Sequence, residues 1–402
     1  MGTEFARRAF LVPRLAVALA ALAVLSAVHP GAVASTGNQT GAGGLLSTPY
    51  DEETPWASLA PTAAAGILID ASDGRVLWQR ASSEKRAIAS TTKIITGLVV
   101  AERLRPEERV TVSARAEAVG ASDSLVTELE VVAGETLTVE QLLYGLLLTS
   151  ASDAAVALAE HVAGTESAFA ELMNDRARRA GAIRSNFVNP HGFDHPDHYS
   201  TAADLALVSR EAMRNPLFKQ IVGTKAYDLV RLSHPTQRLT NRNELLGAFE
   251  GASGVKTGRT QAAGKSLVAS AQRKDEFRIA VVLASSDPAK EAAALIEYSF
   301  SELRRFFAAR AGQAWGTLTY GDGTTARLVA PADLSVLIGV SAPDPGLYYE
   351  EATGRLFVDQ PATSVSLVPD CGSRPCRPQG GGPSLVARFL SLLRPVLSYA
   401  RG

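Results

Sequence analysis

Cysteine is almost missing from this chain of 402 residues: only Cys371 and Cys376 occur, both near the C-terminus. Two cysteines are too few for a disulfide-built scaffold, and without a C-x-x-C pair no cysteine zinc centre is indicated. The six histidines follow no metal-ligand spacing. Charge of one sign is also missing. A formal net charge of -1 gives no electrostatic basis for holding nucleic acid. No internal repeat is visible, so solenoids and propellers drop out. Long hydrophobic runs are scarce too. LAVALAALAVLSAV, Leu15 to Val28, is uncharged but shorter than the ~20 residues of a spanning helix. What remains is 46% hydrophobic and 20% charged, the balance of an ordinary folded protein of about two domains.

That short apolar run has a context. Arg7, Arg8 and Arg14 precede or open it, and Ala32-Val33-Ala34 offers an A-x-A exit. Basic start, apolar middle and small-residue exit together read as an export signal over residues 1–34. The alternative is an uncleaved N-terminal anchor. Either way the chain is expected to work outside the cytoplasm. Residues 35–60 are rich in Gly, Thr, Ser and Pro and read as a linker.

Order follows. AAAGILID and RVLWQR flank Ser72-Asp73-Gly74 and predict a β-hairpin. A helix should open at IASTTKIITG, a second apolar helix runs over residues 139–150 behind the cap Thr138, and DAAVALAEHVAG makes a third that stops at Gly164. ESAFAELMNDRARRAGA and TAADLALVSREAMR are amphipathic. GVKTG, GKSLVASAQR and FRIAVVLASS read as strands, and a helix from about Pro288 to Phe307 closes the unit. Strands, a helical block, strands and a last helix predict an α+β fold, an antiparallel sheet covered by helices, over residues 61–310. Short strands broken by Gly, Asp and Pro over 311–370 predict a small all-β domain. Residues 371–383 form a linker, and 384–402 an amphipathic helix.

Three short motifs stand in order: Ser90-Thr91-Thr92-Lys93, Ser150-Ala151-Ser152, and Lys256-Thr257-Gly258. Residues three apart share a helix face, so Ser90 and Lys93 can touch, and a hydroxyl beside a poorly hydrated amine makes a nucleophile. Singly, each motif has a plain reading: a cap with a snorkelling lysine, a serine between helices, a strand edge. Their joint order behind an export signal is far more specific.

On these motifs the chain resembles the low-molecular-mass penicillin-binding proteins that are D-alanyl-D-alanine carboxypeptidases. Serine-x-x-lysine and K-T-G are signatures shared by penicillin-binding proteins and class A β-lactamases. The likeness runs from about Ala64 to Phe307. AAGILIDASDGRVLWQR with AIASTTKIITG, LLLTSASDAAVALAEHVAG and GVKTGRTQAAGKSLVAS carry it, and NPHGFDHPDHYSTAADLAL, Asn189 to Leu207, is similar to a stretch of the carboxypeptidases rather than of β-lactamases.

The resemblance implies a β-lactamase/transpeptidase-like fold and a set of roles. Ser90 would be acylated. Lys93 would be its general base, and Ser150 would relay a proton to the leaving D-alanine. Lys256 and Thr257, with Gly258, would hold the substrate's terminal carboxylate. The N–H groups of Ser90 and Arg259 would form the oxyanion hole. Neither metal nor organic cofactor is implied. The partners would be a peptidoglycan stem peptide ending in D-Ala-D-Ala, β-lactam antibiotics and, through the C-terminal helix, a membrane surface.

Two positions depart from the family. Its second motif usually ends in asparagine, and this one ends in Ser152, which lacks an amide donor and is shorter. That departure bears on the rate and not on the fold. Lys290 stands where the family has an arginine for the substrate carboxylate, and lysine loses the bidentate fork. Arg259 offers compensation. A β-lactamase, or a cell-wall-peptide-binding pseudoenzyme weakened at Ser152, are the competing readings.

His191, His195 and His198 sit in HGFDHPDHY, where Gly192 and Pro196 favour a loop over a preformed metal face. In the tail, Arg388, Ser391, Arg394, Ser398 and Arg401 form a polar row, with Leu385, Phe389, Leu392, Leu393 and Val396 mostly opposite, as in a helix lying on an anionic bilayer. Export would also permit a Cys371–Cys376 disulfide.

Overall fold

The computed structural model describes residues 58–122, 129–231, 234–319, 325–340, 347–350, 355–358, 364–366 and 368–370. The expected export signal, almost all of the 35–60 linker, the cysteine pair, the 371–383 linker and the tail helix lie outside the described residues.

At the centre is a five-stranded antiparallel sheet in the order Val76–Arg80, Ala65–Asp70, Glu276–Ser285, Gly264–Arg273, Ala252–Thr260. Its N-terminal hairpin thus pairs with a strand some two hundred residues later: Ile67 lies between Gln79 of the hairpin and Val281. The inner strands are buried on both faces, which is why AGILID and RIAVVLA read as nearly continuous apolar runs rather than alternating ones. On one face Ile67, Ile69, Val268, Ile279 and Val281 meet the helical block. On the other Leu68, Leu267, Ala269 and Val282 meet Ala292, Leu295 and Ile296 of the helix Pro288–Glu302.

The helices stand where the apolar spacing put them. Lys93–Arg103 follows a tight turn at Ala89–Thr92. Thr138 caps Val139–Tyr144 with a full capping box to Gln141. A wider helical turn, Gly145–Thr149, carries the chain to Ser150, and Ser152–Ala163 stops at Gly164, whose φ is +78°.

One boundary differs. The closing helix ends at Glu302, not Phe307, because Leu303–Ala309 is extended and pairs with Leu334–Gly339. Arg305 decides this. Its backbone N–H donates to Glu276 Oε1 at 2.9 Å and its guanidinium pairs with Asp70 and Asp73. A helix continued to Phe307 would lose these contacts. Further strands follow at Ala314–Thr319, Thr325–Val329, Leu347–Glu350, Arg355–Val358, Ser364–Ser366 and Val368–Asp370, on the segments expected to be extended. Among the described residues no helix is long and apolar enough to cross a membrane.

Candidate active site

Ser90 sits in the tight turn that opens Lys93–Arg103, after Ala89 at φ +48°. The turn brings Lys93 Nζ to 3.2 Å from Ser90 Oγ. The same Nζ lies 3.3 Å from Ser152 Oγ and donates to the His191 carbonyl at 2.7 Å. Lys93 and Ser152 are fully buried, whereas Ser90 is half-buried and lines an open cleft of about 640 Å³.

Ser150 is the hinge between two helices and takes the left-handed conformation, φ 73° and ψ 29°. It also lines the cleft, and its Oγ is buried without a hydrogen-bond partner. Such an atom costs about 1–3 kcal/mol when no ligand pairs with it.

The strand Ala252–Thr260 brings in the third motif. Lys256 is buried and donates to its neighbour's carbonyl, Thr257 O, at 3.1 Å. Burial, then the like charges of Lys93 and Arg242, hold the Lys256 amine well below the ordinary lysine range. Gly258 is where this strand meets the Ser90 turn. A Cβ there would stand 3.1 Å from the Ile88 carbonyl and 3.2 Å from the Thr91 nitrogen, so glycine permits the approach. Thr257, Gly258 and Arg259 line the cleft.

The loop after Asn189 locks the site from beneath. Gly192, at φ +89°, passes so close to Ala89 that a Cβ would fall 2.1 Å from its carbonyl oxygen. Each histidine finds a different partner. His191 Nδ1 accepts from Phe193 N–H at 3.2 Å, and its Nε2 lies 3.3 Å from Glu166. His198 Nδ1 accepts from Val188 N–H at 3.2 Å, so Nε2 carries the proton and donates to Thr92 Oγ1 at 2.8 Å. Desolvation, the main cause, pulls the His198 pKa down to about 4. His195 is exposed. Asp194 accepts from Thr260 Oγ1 at 2.7 Å, tying the loop to the K-T-G strand.

All three motifs therefore meet. Ser90, Ser150, Thr257, Gly258 and Arg259 line one cleft, with Lys93, Ser152 and Lys256 buried at its base. Lys290 is exposed on the helix Pro288–Glu302 and is not among the cleft-lining residues. Ser152 Oγ reaches Lys93 Nζ despite its short side chain. The cleft also holds residues that sequence reading did not single out: Arg242, Asn243, Glu244, Lys265 and Asp287. The TNRNE segment carries no motif signal. Its place is set by the Arg242 N–H, which donates to Leu148 O two residues before Ser150.

With this geometry in hand, likeness to known proteins is informative. The D-alanyl-D-alanine carboxypeptidase family matches residues 52–287. A carboxypeptidase of Streptomyces sp. K15 is 34% identical over 288 residues, which is 67% of this chain and 97% of that one. Carboxypeptidase DacF of Bacillus subtilis is 33% identical over 252 residues, 61% of this chain, and the match spans 64% of its length. Penicillin-binding protein 5 from Haemophilus influenzae superposes with a TM-score of 0.66 at 26% identity, covering 77% of this chain and 95% of that one. A single-residue variant of the Streptomyces K15 DD-transpeptidase gives 0.56 at 33%, covering 60% and 98%. From residue 52 to the start of its last long helix, this chain belongs to the D-alanyl-D-alanine carboxypeptidase family.

Proposed function

We propose that the protein is a serine-type D-Ala-D-Ala carboxypeptidase that trims peptidoglycan stem peptides, and that β-lactams acylate it at the same serine. The observation that carries this reading is Lys93 Nζ, buried 3.2 Å from a cleft-lining serine. Ser90 Oγ attacks the carbonyl of the penultimate D-alanine and gives its proton to the Lys93 amine. Backbone N–H groups of Ser90 and Arg259 hold the oxyanion. The peptide C–N bond breaks, and the leaving D-alanine takes a proton by way of Ser150. Water then hydrolyses the ester and restores Ser90.

Lys256 and Thr257 hold the substrate's terminal carboxylate, and Arg259, Arg242 and Lys265 add positive charge to the cleft walls. Lys290 stands further out and draws the carboxylate in without gripping it. The export signal supports a place on the extracytoplasmic side of the membrane. The cationic tail supports reversible attachment to anionic lipid there.

The test is a labelled penicillin with peptide mapping, followed by D-alanine release. Label on Ser90, lost in Ser90→Ala protein of unchanged thermal midpoint, is expected. Label elsewhere would overturn the assignment. Label on Ser90 without D-alanine release would favour a peptide-binding pseudoenzyme. Rapid release of hydrolysed penicillin would favour a β-lactamase.

A further inference from the structure

We propose that Asn243 supplies the amide donor that the second motif lacks, hydrogen-bonding the carbonyl of the acyl chain that precedes the scissile D-Ala-D-Ala unit. The proposal rests on the carboxypeptidase reading above.

Ser152 does not meet that need. It is fully buried, its Oγ is engaged at Lys93, and it is not among the residues that line the cleft. Asn243 is among them. Its side chain is fixed in one orientation. Oδ1 accepts from Leu245 N–H at 3.2 Å, which only the oxygen can do, so Nδ2 is the free end. That Nδ2 is buried without a partner, in a residue only 3% exposed. The Asn243 backbone is held as well, its N–H donating to Asn241 Oδ1 at 3.0 Å. The preceding N–H, from Arg242, donates to Leu148 O at 3.2 Å and sets the segment beside Ser150.

Two residues that line the cleft thus each carry a buried, unpartnered polar atom, Ser150 Oγ and Asn243 Nδ2. Folding alone does not favour such atoms. A peptide lying along the cleft brings an acceptor for each kind of need: a leaving amine for the hydroxyl and an acyl carbonyl for the amide.

Penicillins separate this role from a merely structural one. Benzylpenicillin carries an acylamino carbonyl on its lactam ring, and 6-aminopenicillanic acid has a bare amine there. Asn243→Ser withdraws the amide, adds no charge, and keeps an oxygen that can accept from Leu245 N–H in a serine turn. In this variant the acylation rate constant for benzylpenicillin is expected to fall about tenfold, the loss of one hydrogen bond, while that for 6-aminopenicillanic acid holds. Equal slowing of both compounds, or slowing of neither, overturns the proposal.

If wild-type protein forms no acyl-enzyme with either compound, the carboxypeptidase reading fails instead. The donor is then read from binding of an N-acyl-D-Ala-D-Ala peptide to Ser90→Ala protein. There Asn243→Ser is expected to weaken Kd about tenfold, and an unchanged Kd overturns the proposal.

Discussion

At the Asp70 end of the sheet, Arg278 and Arg305 bury their guanidiniums on carboxylates. Beside Ser90, Lys93 and Lys256 bury their amines on carbonyls and hydroxyls. Arg278 is fully buried with Asp70 at 2.7 Å on one nitrogen and Glu276 at 2.7 Å on the other, and it stacks on Phe300. Lys256 has one carbonyl, and the charges bearing on it are those of two further cations. Opposite charges offset part of the arginines' desolvation, and the pairs stitch Leu303–Ala309 to the hairpin. The lysine amine is driven toward its neutral form, which only chemistry can use. A buried cation facing carboxylates is architecture, and one facing cations is a site.

The sharpest way to break this distinction is to remove one member from each group. Lys93→Met keeps length and takes away the amine proposed as the base. Penicillin acylation should fall roughly 10²–10⁴-fold, the usual share of a general base, with the thermal midpoint no lower than wild type. Stopped-flow labelling and a melting curve check both halves. A large drop in the midpoint with acylation intact would make Lys93 architectural.

Asp70→Asn is the opposite experiment. It strips the carboxylate shared by Arg278 and Arg305 and leaves two buried guanidiniums short of charge. Denaturant unfolding should register a loss of roughly 3–5 kcal/mol, while acylation per folded molecule stays near wild type. Slower acylation by folded protein would mean that the two ends of the sheet are coupled.

How much of this was visible beforehand depends on the range of the contacts. Motifs within one turn, such as Ser90 with Lys93, are written in adjacent letters. So are the main strands and the apolar helices. The end of the helix after Pro288 was not, because SELRRFF continues the pattern, and only Asp70 and Glu276 turn Arg305 into a strand residue. The helix Ala114–Ser122 buries just Ala116 and Val119 among its described residues, too thin a stripe to notice. Pro216–Val222 carried a helix-start signature, Asn215 before Pro216, that went unread. Asn243 and Arg242 enter the cleft through a backbone bond to Leu148, which no local spacing encodes.

His198 lies between the two extremes: it is buried beside the reactive turn, yet uncharged. Its folded pKa of about 4 is below the ordinary 6.5. As pH falls from 6.5, the unfolded chain takes up a proton that the folded one refuses, so stability is lost progressively down to about pH 4. The span corresponds to about 3 kcal/mol. In His198→Gln, whose amide can serve both Thr92 and Val188, that part of the pH dependence should flatten. Melting curves from pH 7 to 4 measure it. An unchanged slope would assign the acid sensitivity to other groups.

The smallest effect expected is at Ser152, and it tests whether polar groups beneath the cleft are tuned by chemistry or by packing. Ser152 Oγ already satisfies the contact with Lys93 at 3.3 Å. An asparagine there keeps an acceptor for the amine and extends an amide toward the substrate, a second donor where Asn243 offers one. It also adds volume in a fully buried place, which costs stability. One extra hydrogen bond sets the ceiling on the gain, less than about tenfold in kcat/KM. D-alanine release by Ser152→Asn should therefore rise modestly, and rise more on an Asn243→Ser background, where the donor is missing. A rate that is unchanged or lower in both backgrounds would mean that the site has adapted to serine. The base of the cleft would then resemble the Asp70 end, polar groups set by fit alone.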